Sequence, residues 1–345
     1  VSLSQYCNPQ LFVGGLEIVN VSSVNYIENG GSTINSLKVN LTDPEYDEYK
    51  WYNQKVEFYL NYGAQDSVPL FRGYVRQINP TDRNFSFTAM DPRTFLTGKE
   101  AAPVVLTKLN NFDGFTISQF IHHYVSKHIN TNDTIIGLDM LNEPNPPVLL
   151  KKIRTTADPY KFITGNLPTN RDSTKKPYRY SIKMVESATQ SNIVINRERD
   201  IEEANPVAFS LNDGIVSLKS KRRPPPQFYN LEDKNNKRIT YKKGNMPYGP
   251  IGHTLKGEFK DSDSALQEAI LDSIINEEEV QEVSMTVSKG HYLSTGNVIR
   301  LNVEEPELRK NHRIKSRKVS WNDKSGVMSS FTLNKDVPVM KSYIQ

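Results

Sequence analysis

Leu70-Phe71-Arg72-Gly73-Tyr74-Val75-Arg76-Gln77-Ile78, the turn Asn79-Pro80-Thr81-Asp82-Arg83-Asn84, and Phe85-Ser86-Phe87-Thr88-Ala89 together decide the fold. Phe85, Phe87 and Ala89 alternate with polar residues, the period-2 mark of a strand with one buried face. Two such runs across a turn rich in Pro, Asn and Asp predict an antiparallel hairpin. The pattern extends on the N-terminal side. Leu37, Val39 and Leu41 alternate in the same way, as do Val56, Phe58 and Leu60, with turn clusters at Asn29-Gly30-Gly31-Ser32 and Tyr62-Gly63-Ala64-Gln65-Asp66. Strands at such short spacing with no helices between them indicate an antiparallel barrel or sandwich.

The period changes beyond residue 105. Ile117, Phe120, Ile121, Tyr124, Val125 and Ile129 fall on one helical face, and Thr116 with Gln119 forms a capping box. Glu143-Pro144-Asn145-Pro146-Pro147 cannot continue a helix, while Asp158 to Ile163 can open a short one with Pro159 at its first position. Strand patterns return over 178–220, with Asn212-Asp213-Gly214 as a strong turn signal. Residues 219–257 are poor in apolar side chains and read as a long basic loop, with 221–245 removable without loss of the fold. A second capping box, Ser264 with Gln267, precedes Leu266, Ala269, Ile270, Ile274 and Ile275 and predicts a helix over 262–279. Ile299, Leu301 and Val303 alternate, and Val319 and Trp321 lead through the turn Asn322-Asp323-Lys324-Ser325-Gly326 into Val327, Phe331 and Leu333. Trp321 and Phe331 are both expected to pack into the second β-barrel.

The chain has 345 residues, 37% of them apolar, and a mean hydropathy of −0.58. The length suggests two or three domains. Its 17 Tyr and 14 Phe are more than a disordered chain carries. A net charge of +4 supports no global argument for nucleic acid. The single cysteine, Cys7, excludes an intramolecular disulfide and a Cys-based zinc site. No run approaches the ~18 apolar residues of a transmembrane helix, and the first residues lack the features of a signal peptide. The expectation is assembly in a cytoplasm without membrane insertion.

The sequence offers little catalytic chemistry. His122, His123 and His128 sit on the first predicted helix, but His123 and His128 are about 140° apart around its axis, which does not converge on a metal. There is no Gly-x-Ser-x-Gly elbow, Walker loop, His-Glu-x-x-His or dinucleotide fingerprint. No catalytic, cofactor or metal residue is therefore expected, although carboxylates paired only in space would escape a sequence reading. Lys219, Lys221, Arg222, Arg223, Lys237, Arg238, Lys242 and Lys243, interleaved with Phe228, Tyr229 and Tyr241, form a candidate contact for a partner or for DNA. A solvated or protein-docked segment is the simpler reading. The stretch Arg309 to Lys318 reads as strand with its charges on an exposed face or a ring interface. Tyr46, Tyr49, Trp51 and Tyr52 could form a sugar platform, or simply pack.

In order, these elements resemble the tail-hub, or baseplate-hub, proteins of tailed phages and contractile injection systems. The aromatic-x-Gly-x-Val strand Phe71–Val75, the hairpin and the strand closing on Asp91 look like the end of that family's first barrel. The helix over 116–129 is similar to the one that follows it. The helix from Ser264, the strand Val283–Val287, Leu293-Ser294-Thr295-Gly296-Asn297-Val298 and the final hairpin match the family's C-terminal order. The resemblance covers about two-thirds of the chain, and residues 135–260 depart from it.

What the resemblance implies is a mainly β chain of two tail-tube-like antiparallel β-barrels joined by a helical bridge. The expected division is 1–105 for the first barrel, 106–177 for the bridge and 178–345 for the second. It further implies a non-enzymatic virion protein forming a homotrimer, so that three double barrels imitate sixfold symmetry. Its partners would be the tail tube protein, a spike or tip protein, the tape measure protein and, transiently, DNA in the channel. Another tail or carbohydrate-binding adhesion module, or a cell-wall-degrading β-rich enzyme, is the alternative.

Overall fold

The computed structural model describes residues 7–30, 33–42, 48–61, 66–80, 85–97, 119, 136–137, 169–171, 177–198, 205–242 except 211, 213, 225, 233, 234 and 236, 252–254, 261–270 except 264, 267 and 268, and 280–334 except 289 and 307. The helix expected over 116–129 with its three histidines, and the short one from Asp158, lie outside the described residues.

The first seven strands are β1 (Gln10–Val13), β2 (Leu16–Glu17), β3 (Val21–Asn29), β4 (Ser36–Leu41), β5 (Lys55–Tyr59), β6 (Phe71–Pro80) and β7 (Phe85–Met90). The predicted hairpin is β6–β7, with Ile78 opposite Phe87 and Val75 opposite Ala89. Gly73 of the aromatic-x-Gly motif has a steric reason: a β-carbon there would collide with the Met90 carbonyl and the Phe71 ring. The alternating residues converge as forecast. Leu37, Val39, Leu41, Val56, Phe58, Phe71, Phe85, Phe87 and Ala89 form one dry core with Tyr26 and Trp51. Trp51 meets Phe85 and Phe87 edge-on, each at 5.4 Å, so it is core rather than a sugar platform. The Cys7 thiol donates to the Leu60 carbonyl at 3.1 Å, and burial pushes its pKa up to about 12.

The remaining strands are β8 (Ile136–Gly137), β9 (Thr169–Arg171), β10 (Pro177–Glu186), β11 (Ser191–Glu198), β12 (Val207–Ser210), β13 (Ile215–Arg223), β14 (Phe228–Glu232), β15 (Arg238–Lys242), β16 (Gly252–Thr254), β17 (Val280–Val287), β18 (Val298–Asn302), β19 (Asn311–Asn322) and β20 (Gly326–Asn334). A second core gathers Phe209, Val283, Met285, Val287, Ile299, Leu301, Ile314, Phe331 and Leu333.

The two cores share one sheet. Its order is β13-β17-β20-β19-β3-β4-β7-β6-β5-β1-β2, with β18 branching from β19 and β12 pairing β18. The branch arises because β19 changes partner along its length. Arg313 pairs with Val298 of β18, whereas Ser316–Asn322 pair with Asn29–Ser23 of β3. A bulge between Ile314 and Ser316 marks the change, and such an extra residue bends a strand and re-aims its side chains. The hairpin β19–β20 therefore serves both cores: Val319 and Val327 enter the first, while Ile314, Phe331 and Leu333 enter the second. Trp321 corrects the expectation, since it packs against the first core, whereas Phe331 lies in the second as expected.

Two smaller sheets complete the fold, β8-β11-β10-β9 and β15-β14-β16. The latter overturns the loop reading of 219–257. Tyr229 and Leu231 alternate inward and are buried with Ala265 and Ala269 of the helical segment near 262–270. Only one face of these short strands is dry, so their apolar content is low and they resemble a loop in composition. The Asn212–Gly214 turn does not close a hairpin, because β12 pairs in parallel with β18 while β13 pairs with β17.

Candidate assembly surfaces and the ionic junction behind them

Buried charge concentrates where the two cores meet. Arg317 of β19 lies 2.5 Å from Glu28 of β3, and both are almost fully buried. Glu28 also accepts from the Thr295 backbone N–H at 3.1 Å and its hydroxyl at 2.8 Å. Arg317 donates to the carbonyls of His291 at 2.7 Å and Leu293 at 2.5 Å, and its guanidinium stands 5.3 Å from the centre of the Tyr26 ring. The pair thus pins the 291–295 loop of the second core to the seam strand of the first. Gly296 completes this loop with a φ of +83°, which favours glycine, and its N–H reaches the Ile314 carbonyl at 2.8 Å. That explains the glycine of the Leu-x-x-Gly motif.

The hairpin β10–β11 is fastened to both units. Arg72 of β6 donates to Glu57 at 2.7 Å, to Glu186 at 3.2 Å, and to the carbonyls of Ser187 and Ala188, each at 3.3 Å. Arg93, fully buried, is forked onto Asp91 and reaches the Ile182 carbonyl at 3.3 Å. Lys183 donates to the Thr295 carbonyl at 2.9 Å. The turn of β10–β11 is thereby held against the first core, and its middle against the second. Burial raises the Glu186 carboxyl to about 7, although Ser191 at 2.6 Å and Arg72 favour its ionised form. Glu57 behaves oppositely: burial would raise it, but the hydrogen bonds from Arg72 and Lys55 prevail and hold it below the usual carboxylate range.

The basic residues singled out from sequence do not form one cluster. Lys219 and Lys221 stand exposed on β13, which also contains Arg222 and Arg223. Lys237, Arg238 and Lys242 are exposed at or on β15, in a different sheet. Lys243 lies outside the described residues. In the Arg309–Lys318 stretch the expected exposed face is corrected: Arg313 and Arg317 are buried, and Lys318 is exposed. Among the described residues no three His, Cys, Asp or Glu side chains are grouped to hold a metal. His291 and His312 are inward-facing, and burial lowers both pKa values.

Both ends of the long sheet are open edges among the described residues. One is β13, and the other is β2 with the end of β1. Each carries exposed apolar side chains: Val216, 62% exposed, on β13, and Leu16 and Val19, 73% and 79% exposed, at and just beyond β2. An unpaired edge with exposed apolar residues is a template for another chain. The junction residues Glu28, Arg72, Glu186, Thr295 and Arg317 were not singled out from sequence. For Glu28 the local signal is a charge at an inward position of a period-2 run, following Val24 and Tyr26.

A long curled antiparallel sheet around two cores, with β-hairpin insertions, is the fold of phage tail proteins. The tail protein from Neisseria meningitidis MC58 superposes with a TM-score of 0.63 and 12% identity over 96% of this chain and 97% of that one. The 43 kDa tail protein of prophage MuSo2 from Shewanella oneidensis gives 0.64 and 12%, over 95% and 98%. A component of the E. coli type VI secretion system, described as structurally similar to the T4 tail proteins gp27 and gp5, gives 0.53 and 11%, over 94% and 76%. No family model matches the chain. No curated protein matches it either.

Proposed function

We propose that this chain is the structural hub of a phage tail baseplate or a related injection machine, acting as a ring-forming connector without catalytic activity. The observation that carries this reading is the end-to-end match to two tail proteins, 95% or more of the chain in both directions. The geometry supplies a mechanism of assembly. Edges of different sequence at the two ends of one sheet favour a head-to-tail contact, and such contacts close into rings when the rotation allows. Three copies, each contributing two sheet-wrapped cores, would present six similar units to a tail tube protein and three to a spike or tip protein. The tape measure protein and the genome would occupy the bore. No helix among the described residues is long and apolar enough to cross a membrane. The site of action is the virion tail, after assembly in the host cytoplasm.

The test is mutational. Leu16→Asp with Val19→Asp places charge on one edge while leaving both cores untouched. Light scattering on the purified chain with its tube or spike neighbour should read three copies for the wild type and one for the variant. An unchanged mass with the edge charged would refute the edge-pairing mechanism.

A further inference from the structure

We propose that the turn joining β10 to β11 is a proton-dependent latch over the outer face of β6, docked while Glu186 carries a proton and released when it does not. One side chain, Arg72, makes all of the described hydrogen bonds between this turn and the first core. It donates to Glu186 and to the carbonyls of Ser187 and Ala188. The apolar side chains of the hairpin, Ile182, Ile193 and Val194, are buried further along its strands, and Lys183 ties it to the Thr295 carbonyl. The hairpin is therefore retained while its turn, exposed at Ala188 and Thr189, is able to move.

The charges around Glu186 do not balance. Arg317 is paired with Glu28, and Arg93 is forked onto Asp91. Arg72 is shared: its Nε lies 2.7 Å from Glu57 and its Nη1 3.2 Å from Glu186. Lys55 also serves Glu57, at 3.0 Å, but its side chain is 41% exposed, where water screens it. Three buried guanidiniums thus face four carboxylates. Among the described residues, the groups that bear on Glu186 are Arg72 of β6, Glu57 and Tyr59 of β5, Tyr26 of β3, Asp91 after β7 and the Ser191 hydroxyl of β11. Only Arg72 among them is a cation. A buried carboxylate without a cation of its own takes up a proton instead. The atoms allow this, since Arg72 and Ser191 both donate to Oε2 and leave Oε1 to hold the proton. Burial, and after it the neighbouring Asp91 and Glu57, raise Glu186 to about 7 against the pull of Ser191 and Arg72.

In the released turn Glu186 meets water and returns to its ordinary value of 4.5. The docked turn therefore binds the proton more tightly than the released one. Docking is at full strength below pH ~4.5, weakens about tenfold per pH unit above it and stops weakening near pH 7, roughly 300-fold in all. Glu57, held low by the hydrogen bonds from Arg72 and Lys55, stays ionised through this window and keeps Arg72 in place. Release then uncovers a cation on β6. One proton decides whether this face of the first core is covered or open to a partner.

The experiment uses the full chain with a nitroxide at Thr189→Cys in a Cys7→Ser background. Electron paramagnetic resonance follows the mobility of the label from about pH 4.5 to 9. The ratio of mobile to immobile signal should rise with pH, about tenfold per unit in the steep part, and level off above pH ~7. Glu186→Gln, neutral at every pH, should keep the immobile signal throughout. Glu57→Gln leaves the sequence of the turn intact and gives Arg72 wholly to Glu186, so its rise should level off about one pH unit or more earlier. A wild-type signal that does not change with pH, a Glu186→Gln signal that rises like the wild type's, or a Glu57→Gln profile that does not shift would overturn the latch. So would a transition that moves the circular dichroism of the whole chain in step with the label, since that is unfolding and not release of a turn.

Discussion

The two cores are built differently. The first is aromatic, with Phe58, Phe71, Phe85, Phe87, Tyr26 and Trp51, and most of its strands are joined by short connections within residues 10–90. The second is mostly aliphatic around Phe209 and Phe331, and it gathers Phe209 together with residues 283–333 across a long insertion. The first can therefore form from local hairpins, while the second must close a large loop before its strands pair. The hairpin β19–β20 belongs to both, which couples a locally encoded unit to a non-local one. The lesson is that the cores are chemically distinct but mechanically one.

Core truncation offers the largest effect with which to break that statement. Phe87→Ala in the first core and Phe331→Ala in the second should each cost about 3–5 kcal/mol in urea unfolding. Each should move one common transition; two separate transitions would mean that the shared hairpin does not couple the cores. Arg317→Met should come next, at about 3–5 kcal/mol or somewhat less, because it leaves Glu28 buried without its cation. Adding Glu28→Gln should recover most of that loss, a rescue that a purely packing defect would not show. Trp321→Ala should cost about 1–2 kcal/mol, less than Phe331→Ala, because Trp321 is only half-buried at the seam.

The smallest effect concerns the hairpin that bridges the cores. A carboxyl raised from its ordinary value to about 7 means that the folded state binds the proton more tightly than the unfolded state. Stability from that group is then fully present below pH ~4.5 and is lost as pH rises towards 7. Comparing melting temperatures of the wild type and Glu186→Gln from pH 4.5 to 8 should show the wild type losing ground to the variant as pH rises. Parallel curves would contradict the assigned environment. Glu57, whose pKa is lowered, carries the opposite sign: its contribution is lost only as the pH falls below the ordinary carboxylate range.

Much of this architecture could be read in the chain itself, for a physical reason. Where one face of a strand is dry, as at Leu37–Leu41 and Phe85–Ala89, period-2 alternation reports it directly. The sheet β15-β14-β16 was missed because Tyr229 and Leu231 are its only buried inward residues in a run of Lys, Asn and Pro. Trp321 was misplaced because a twelve-residue strand crosses from one core to the other, and alternation does not say which core it faces. The junction left almost no trace, since its partners are remote: Glu28 and Thr295 are 267 positions apart, and Arg72 and Glu186 are 114. Pairing across such separations is a property of the fold and not of any local pattern.

Electron cryomicroscopy of the assembled tail tip tests the central claim most directly. The account predicts three copies around the axis, with β13 of each lying along the β1–β2 edge of the next. A single copy, or three copies with both edges facing solvent, would contradict it.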